Sequence, residues 1–197
     1  MFLKNLDKYT ITLASGSPRR HDLLKKAGIH FNIGTGKDVP EIIPEKIHVD
    51  DVPLYLARLK SNAWQDLWEQ KSQLVITADT IVALDNQVIG KPEDRDDAIE
   101  MLENLSGRSH RVITGVIART SAEEKAFTDI TTVHFKPLSR EQIEYYVDHF
   151  EPFDKAGSYG IQEWIGITGI NRIEGSYFNV MGLPVSRLVD ELATIDR

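Results

Sequence analysis

The run Leu74-Val75-Ile76-Thr77-Ala78 narrows the possible folds more than any other stretch of this chain. It is short, largely apolar and rich in β-branched residues, the pattern of a central strand covered on both faces. Such a strand needs helices to cover it, and the flanking sequence supplies them. Residues 18–27 read as a helix opened by Pro18, whose missing N–H costs nothing in a first turn, and stopped at Gly28. From Val52 to Glu69 apolar residues recur at helical spacing, among them Leu56, Leu59, Ala63 and Leu67. Residues 94–105 carry the same spacing behind an acidic first turn that suits the helix dipole. Ser139 is placed to cap a further helix, and residues 184–193 form a closing one.

Strand-like segments alternate with these helices. They are expected at 10–14, 29–33, 81–84, 87–89, 111–119, 126–134, 167–173 and 177–180, with Asp85-Asn86 and Glu174-Gly175 as turns. Residues 35–50 read as a loop. Hairpins mixed with helices point to an α/β fold with a mixed sheet rather than a strictly alternating doubly wound one. No repeat period and no long linker appears, so residues 1–197 are expected to form a single domain.

Charge and composition then exclude several functions. The chain has 197 residues, with 23 Lys+Arg against 30 Asp+Glu, and the net of −7 argues against wrapping a nucleic-acid polymer, which calls for a basic footprint. Cysteine is absent, which removes disulfides, thiol nucleophiles and thiolate metal sites. Residues 1–9 lack a signal-peptide core, and no apolar run approaches the roughly 20 residues needed to span a bilayer, so a cytoplasmic protein is expected.

What remains for chemistry is hydroxyls, carboxylates and cations. Ser15-Gly16-Ser17-Pro18-Arg19-Arg20 joins a strand to a helix through small residues, which leaves backbone N–H groups, hydroxyls and guanidinium groups beside a helix N-terminus. Two readings stand for it: a phosphate or carboxylate cradle, or an ordinary capped helix with a solvated basic first turn. Asp79 is expected where the central strand ends. There a carboxylate can bind a hard divalent cation or accept a proton from water, or simply cap a turn. Lys91, in the rigid Gly90-Lys91-Pro92 turn, and Lys60, on a helix, are candidate cations, although lone lysines are usually solvated. Gly34-Thr35-Gly36-Lys37 fails as a P-loop, because Phe31 stands where a glycine is required and Asp38 follows the lysine. The six histidines have no paired helical spacing, and Ser15 and Ser17 lack the flanks of a nucleophile elbow.

Taken in order, Leu13 to Arg20, Ala78-Asp79-Thr80, Gly90-Lys91-Pro92, Leu105-Ser106-Gly107, Asp154 to Gln162 and Gly182-Leu183-Pro184 resemble the motifs of the Maf family of nucleoside triphosphate pyrophosphatases. The set spans nearly the whole chain. The resemblance implies an elongated mixed sheet flanked by helices, with two lobes around a central cleft. It also implies cleavage of a nucleoside triphosphate to the monophosphate and pyrophosphate with a divalent cation, Mg²⁺ or Mn²⁺. It makes Asp79 the proton acceptor and places Ser15, Arg20, Glu41, Lys60 and Lys91 around the phosphates and metal, with Glu41 and Asp79 as metal ligands. Arg19, Thr80 and Gln162 match the specificity positions of the subgroup that prefers dTTP and UTP, with modified pyrimidine nucleotides as further candidates. A small-molecule nucleotide, and no nucleic-acid polymer or membrane, is the implied partner, with a homodimer as the implied assembly. A nucleotide-binding regulator of cell division and septum formation with little catalysis is the alternative that the same resemblance admits.

The sequence departs from the family pattern in three places. Pro40 stands where a carboxylate is common, Leu59 precedes Lys60 where Glu is frequent, and Glu163-Trp164 follows Gln162 where glycine is frequent.

Overall fold

A computed structural model describes residues 3–37 and 39–196, so Met1, Phe2, Asp38 and Arg197 lie outside the described residues. The fold is mixed α/β. Strands β1 (Thr10–Leu13), β2 (Asn32–Ile33), β3 (Gln73–Leu84), β4 (Gln87–Ile89), β5 (Ser109–Arg119), β6 (Glu124–Phe135) and β7 (Ile170–Glu174) form one seven-stranded sheet in the order β2-β1-β3-β5-β6-β7, with β4 paired to β3. The helices are α1 (Pro18–Lys26), α2 (Val52–Asn62), α3 (Gln65–Trp68), α4 (Arg95–Leu105), α5 (Arg140–Phe150), α6 (Trp164–Gly169), α7 (Tyr177–Val180) and α8 (Val185–Leu192). None of them, among the described residues, is long and apolar enough to cross a membrane.

The chain divides into two compact units. The first runs to Asp79 and adds Thr114–Asp129 and the segment from Gly182 on; the second holds Thr80–Ile113 and Ile130–Met181.

In the first unit β1 lies parallel to β2 and to β3, in a register that sets Leu13 opposite Ile76. The expected central strand is fully buried at Leu74, Val75 and Ile76. Helix α1 begins at Pro18 as expected and runs to Lys26, with Ala27 as its C-cap and Gly28 beyond it at φ +72°, the left-handed geometry that stops a helix. The helix expected over 52–69 is broken at Ala63-Trp64 into α2 and α3. The Trp64 N–H turns back to the Ser61 carbonyl, and its ring packs with Ala14, Val75 and Trp68. Helix α2 approaches β5 closely at Gly115, where a Cβ would stand 2.2 Å from the Leu54 nitrogen. Only glycine permits that contact. At the chain's end Asn5 donates to the carbonyls of Leu192 and Ile195, satisfying the open end of α8.

In the second unit β3 and β4 form a hairpin whose turn residues, Asp85 and Asn86, both have positive φ, the primed geometry that matches strand twist. Helices α4 and α5 bury Ile99, Leu102, Leu105, Ile143, Tyr146 and Val147 in one core with Val82, Leu84, Val133 and Phe135. Ser139 caps α5 as expected, through a full capping box with Gln142.

Two strand expectations give way here. Residues 164–169 are helical before β7 begins at Ile170. Residues 177–180 are a helical turn because the Ser176 hydroxyl accepts the Asn179 N–H, while the buried Asn179 amide donates to the Val112 carbonyl and the Thr131 hydroxyl. Those side-chain bonds outweigh the β propensity of Tyr177, Phe178 and Val180.

Candidate active site

The site grows from the alternation of β3. Successive side chains point to opposite faces, so Thr77 and Asp79 share one face. The Thr77 hydroxyl donates to the Ala57 carbonyl at 2.8 Å and ties α2 to that face. Lys60 lies three residues beyond Ala57, one helical turn along the same side of α2, which brings its ammonium to Asp79. The same ammonium reaches Glu41 Oε1 at 2.7 Å. One lysine thus bridges two carboxylates that lie 38 positions apart in the sequence.

Asp79 is only 8% exposed. It lies within the continuous strand β3, not at a strand end as expected. The ion pair with Lys60 offsets part of the cost of burying this carboxylate inside the strand. Burial pushes the Asp79 carboxyl above the usual carboxylate range, against the opposing pull of Lys60 and then Arg20, with the Glu41 charge adding to the rise. A desolvated carboxylate with a raised proton affinity is what a general base near neutral pH requires.

Arg20 is held by acceptors on Gly182, Ala78 and Ser15 among others. Its Nε donates to the Gly182 carbonyl at 2.8 Å, and its Nη1 to the Ala78 carbonyl at 2.8 Å and the Ser15 hydroxyl at 3.3 Å. Ser15 Oγ also accepts the Ser17 N–H at 3.3 Å, which shapes the turn into α1, and Ser17 makes no side-chain cap of its own. Burial lowers the Arg20 proton affinity; the Asp79 charge opposes that and Arg19 adds to it. The first unit therefore gathers Ser15, Arg20, Glu41, Lys60 and Asp79 into one network, with Arg19 half-buried as the neighbour of Arg20.

Thr80, Lys91 and Gln162 belong to the second unit. Thr80 is half-buried in β3, directly after Asp79. Lys91 is exposed, and the preceding Gly90 carbonyl accepts the Gly157 N–H at 2.9 Å, so its turn is pinned to the 154–162 segment. Gln162 is exposed on that same segment, next to a carboxylate network described below.

Sequence reasoning gave no role to Thr77, to Tyr146, or to the buried pair of His110 and Tyr159. Their parts depend on contacts across distant segments, and no local spacing announces them. Among the described residues no group of three or more His, Cys, Asp or Glu side chains is arranged to hold a metal. The two carboxylates on Lys60 are the hard oxygen donors within the network.

A family profile described as "Maf: Maf-like protein" matches residues 10–195. The dTTP/UTP pyrophosphatase of Bacteroides fragilis is 50% identical over 190 residues, covering 96% of this chain and 98% of the relative. The protein of the same name in Porphyromonas gingivalis is 50% identical over 191 residues, with 96% of each chain covered. That of Cytophaga hutchinsonii is 49% identical over 192 residues, covering 98% of this chain and 87% of the relative. Among solved structures, a HAM1 protein from Coxiella burnetii is a remote likeness, at 15% identity and a TM-score of 0.42 over 64% of this chain and 73% of that one.

Proposed function

The chain belongs to the Maf family, and from that premise we propose that it is a nucleoside triphosphate pyrophosphatase that hydrolyses dTTP and UTP to the monophosphate and pyrophosphate. The names of relatives that match it nearly end to end support the substrate class. The observation that carries the chemistry is the buried Asp79 carboxylate, raised in proton affinity and joined through Lys60 to Glu41.

In this reading Asp79 takes the proton of the water that attacks the α-phosphorus. Negative charge then grows on the departing pyrophosphate, and Arg20, Lys60 and Lys91 neutralise it. Ser15 adds a hydroxyl donor. Arg19, Thr80 and Gln162 select the nucleotide, with Gln162 offering both a donor and an acceptor to the edge of uracil or thymine.

A divalent cation, Mg²⁺ or Mn²⁺, fits the donor set. Magnesium is commonly held by one or two carboxylates together with substrate phosphates, and Asp79 and Glu41, which share the Lys60 ammonium, are the two that would hold it. Bound there, the cation would screen the phosphate oxygens from the carboxylates and polarise the reacting phosphoryl group. The same reading takes residues 1–197 as one Maf domain, acting in the cytoplasm as a homodimer.

The test is pyrophosphate release from dTTP, UTP, CTP, GTP and 7-methyl-GTP with Mg²⁺ or Mn²⁺ present. Release is expected to be fastest with dTTP and UTP. Asp79→Asn is expected to lower kcat by about a hundredfold or more while nucleotide binding persists. Folded wild-type protein that releases no pyrophosphate from any of the five would sink the proposal.

A further inference from the structure

Gln162 sits on a turn with the carboxylate of Glu163 folded beneath it. The Glu163 N–H donates to the Gly160 carbonyl at 3.0 Å and closes a four-residue turn with Ile161 and Gln162 at its tip. Ile161 is buried and Gln162 is exposed, so the turn presents the amide outward over an anchored neighbour. The Glu163 side chain folds back beneath this turn. A Cβ at Gly160 would lie 2.7 Å from the Glu163 carboxyl carbon, so only a glycine leaves room for the carboxylate against the chain.

Two side chains hold that carboxylate. The hydroxyl of Tyr146, on α5, donates to Glu163 Oε2 and accepts the Gly160 N–H at 3.0 Å, using both its donor and its acceptor capacity. The Lys155 ammonium, on a residue only 8% exposed, reaches Glu163 Oε1 at 3.2 Å and Asp154 at 2.7 Å. Tyr146 itself is fully buried in the core of the second unit. A buried lysine and a buried phenol thus converge on a single glutamate, and apart from the Lys155–Asp154 ion pair each of these bonds ends on the turn that carries Gln162.

We propose that Glu163, clamped by Lys155 and Tyr146, is the positioning residue that holds Gln162 in place, so that nucleotide discrimination depends on a side chain that need not touch the base. The clamp stands on the contacts above; its consequence for substrate choice rests on the reading of Gln162 as the base contact. Glutamine at 163 keeps an acceptor for Tyr146 but loses the charge that Lys155 requires. Alanine removes both.

The experiment pairs two readouts on wild-type protein, Glu163→Ala, Glu163→Gln, Tyr146→Phe, Gln162→Ala and Glu163→Ala/Gln162→Ala. One is amide hydrogen exchange over residues 158–164 without nucleotide, and the other is kcat/KM for UTP relative to CTP. Exchange in that segment is expected to quicken at least tenfold in Glu163→Ala and Tyr146→Phe, and less in Glu163→Gln. The UTP-to-CTP ratio is expected to fall about tenfold in Glu163→Ala, mainly through KM, with no further fall in the double variant.

Unchanged exchange in folded Glu163→Ala and Tyr146→Phe overturns the clamp whatever the kinetics. Equal losses on UTP and CTP, or additive losses in the double variant, overturn the link to discrimination. Faster exchange combined with a Gln162→Ala variant of wild-type preference supports the clamp and refutes instead the assignment of Gln162 to the base. If Glu163→Ala does not fold, Tyr146→Phe and Glu163→Gln decide the matter.

Discussion

Acidification should destabilise this protein through one buried ring. His110 is 2% exposed and sits edge-on to Phe135 and Tyr159, with Nε2 at 2.7 Å from the Tyr159 hydroxyl and Nδ1 without a hydrogen-bond partner. Protonation makes both ring nitrogens donors, and nothing stands ready to accept from Nδ1. Burial accordingly depresses the His110 pKa from 6.5 to about 4, with His134 adding a smaller push in the same direction.

Because the folded value lies below the unfolded one, the stability tied to the neutral ring is present above pH 6.5 and drains away as pH falls toward about 4. The ceiling is roughly 3.4 kcal/mol, from about 1.36 kcal/mol for each pH unit between the two values. Between about pH 7 and about pH 5 the loss comes to about 2 kcal/mol. Other groups also titrate in that window, so the informative quantity is a difference between two proteins.

Urea unfolding of wild-type and His110→Gln protein at both pH values supplies it. Glutamine keeps a partner for Tyr159 but cannot titrate. Wild-type protein should lose about 2 kcal/mol more than the variant on going from about pH 7 to about pH 5. Parallel losses in the two proteins would refute the reasoning, as would an NMR titration of the folded His110 ring centred near its ordinary value.

Gly115→Ala should cost about 3 kcal/mol or more, because its Cβ would meet the backbone of Pro53 and Leu54 rather than a side chain able to move; thermal unfolding would measure the loss. Ser139→Ala should cost about 1 kcal/mol by opening the capping box of α5, read from the urea midpoint at constant m-value. Chelation of divalent cations should abolish pyrophosphate release, and Mg²⁺ or Mn²⁺ should restore it; activity that survives exhaustive chelation would remove Glu41 and Asp79 from the metal-holding role.

The parts of this structure that local chemistry dictates are legible in the sequence. Pro18 and Gly28 bounding α1, the turn at Asp85-Asn86 and the Ser139 cap each depend on residues within a few positions of one another. Asp79 is legible as a candidate residue, whereas its place inside a continuous strand is not. A polar residue inside an apolar run looks like a strand end unless its partner is known, and that partner, Lys60, comes from a helix 19 positions away. The helical turn at 177–180 was hidden for the same reason, since Asn179 is held by Val112 and Thr131. Glu163 was visible only as a departure from a family pattern; that its carboxylate meets Tyr146 and Lys155 follows from packing.

The ladder between β1 and β3 acts as a ruler for the chemistry. Two residues beyond the Leu13–Ile76 pair lie Ser15 and Ala78, and Arg20 bonds to both. Asp79 is the next step along. Sliding β3 by one position would carry Asp79 to the opposite face and offer Lys60 an alanine or a threonine instead, and sliding β1 would draw Ser15 away from Ala78. Deletions and insertions in residues 10–15 or 73–79 should therefore be far more damaging than substitutions there, since a replaced side chain alters one contact whereas a lost residue changes the count on which the whole arrangement depends.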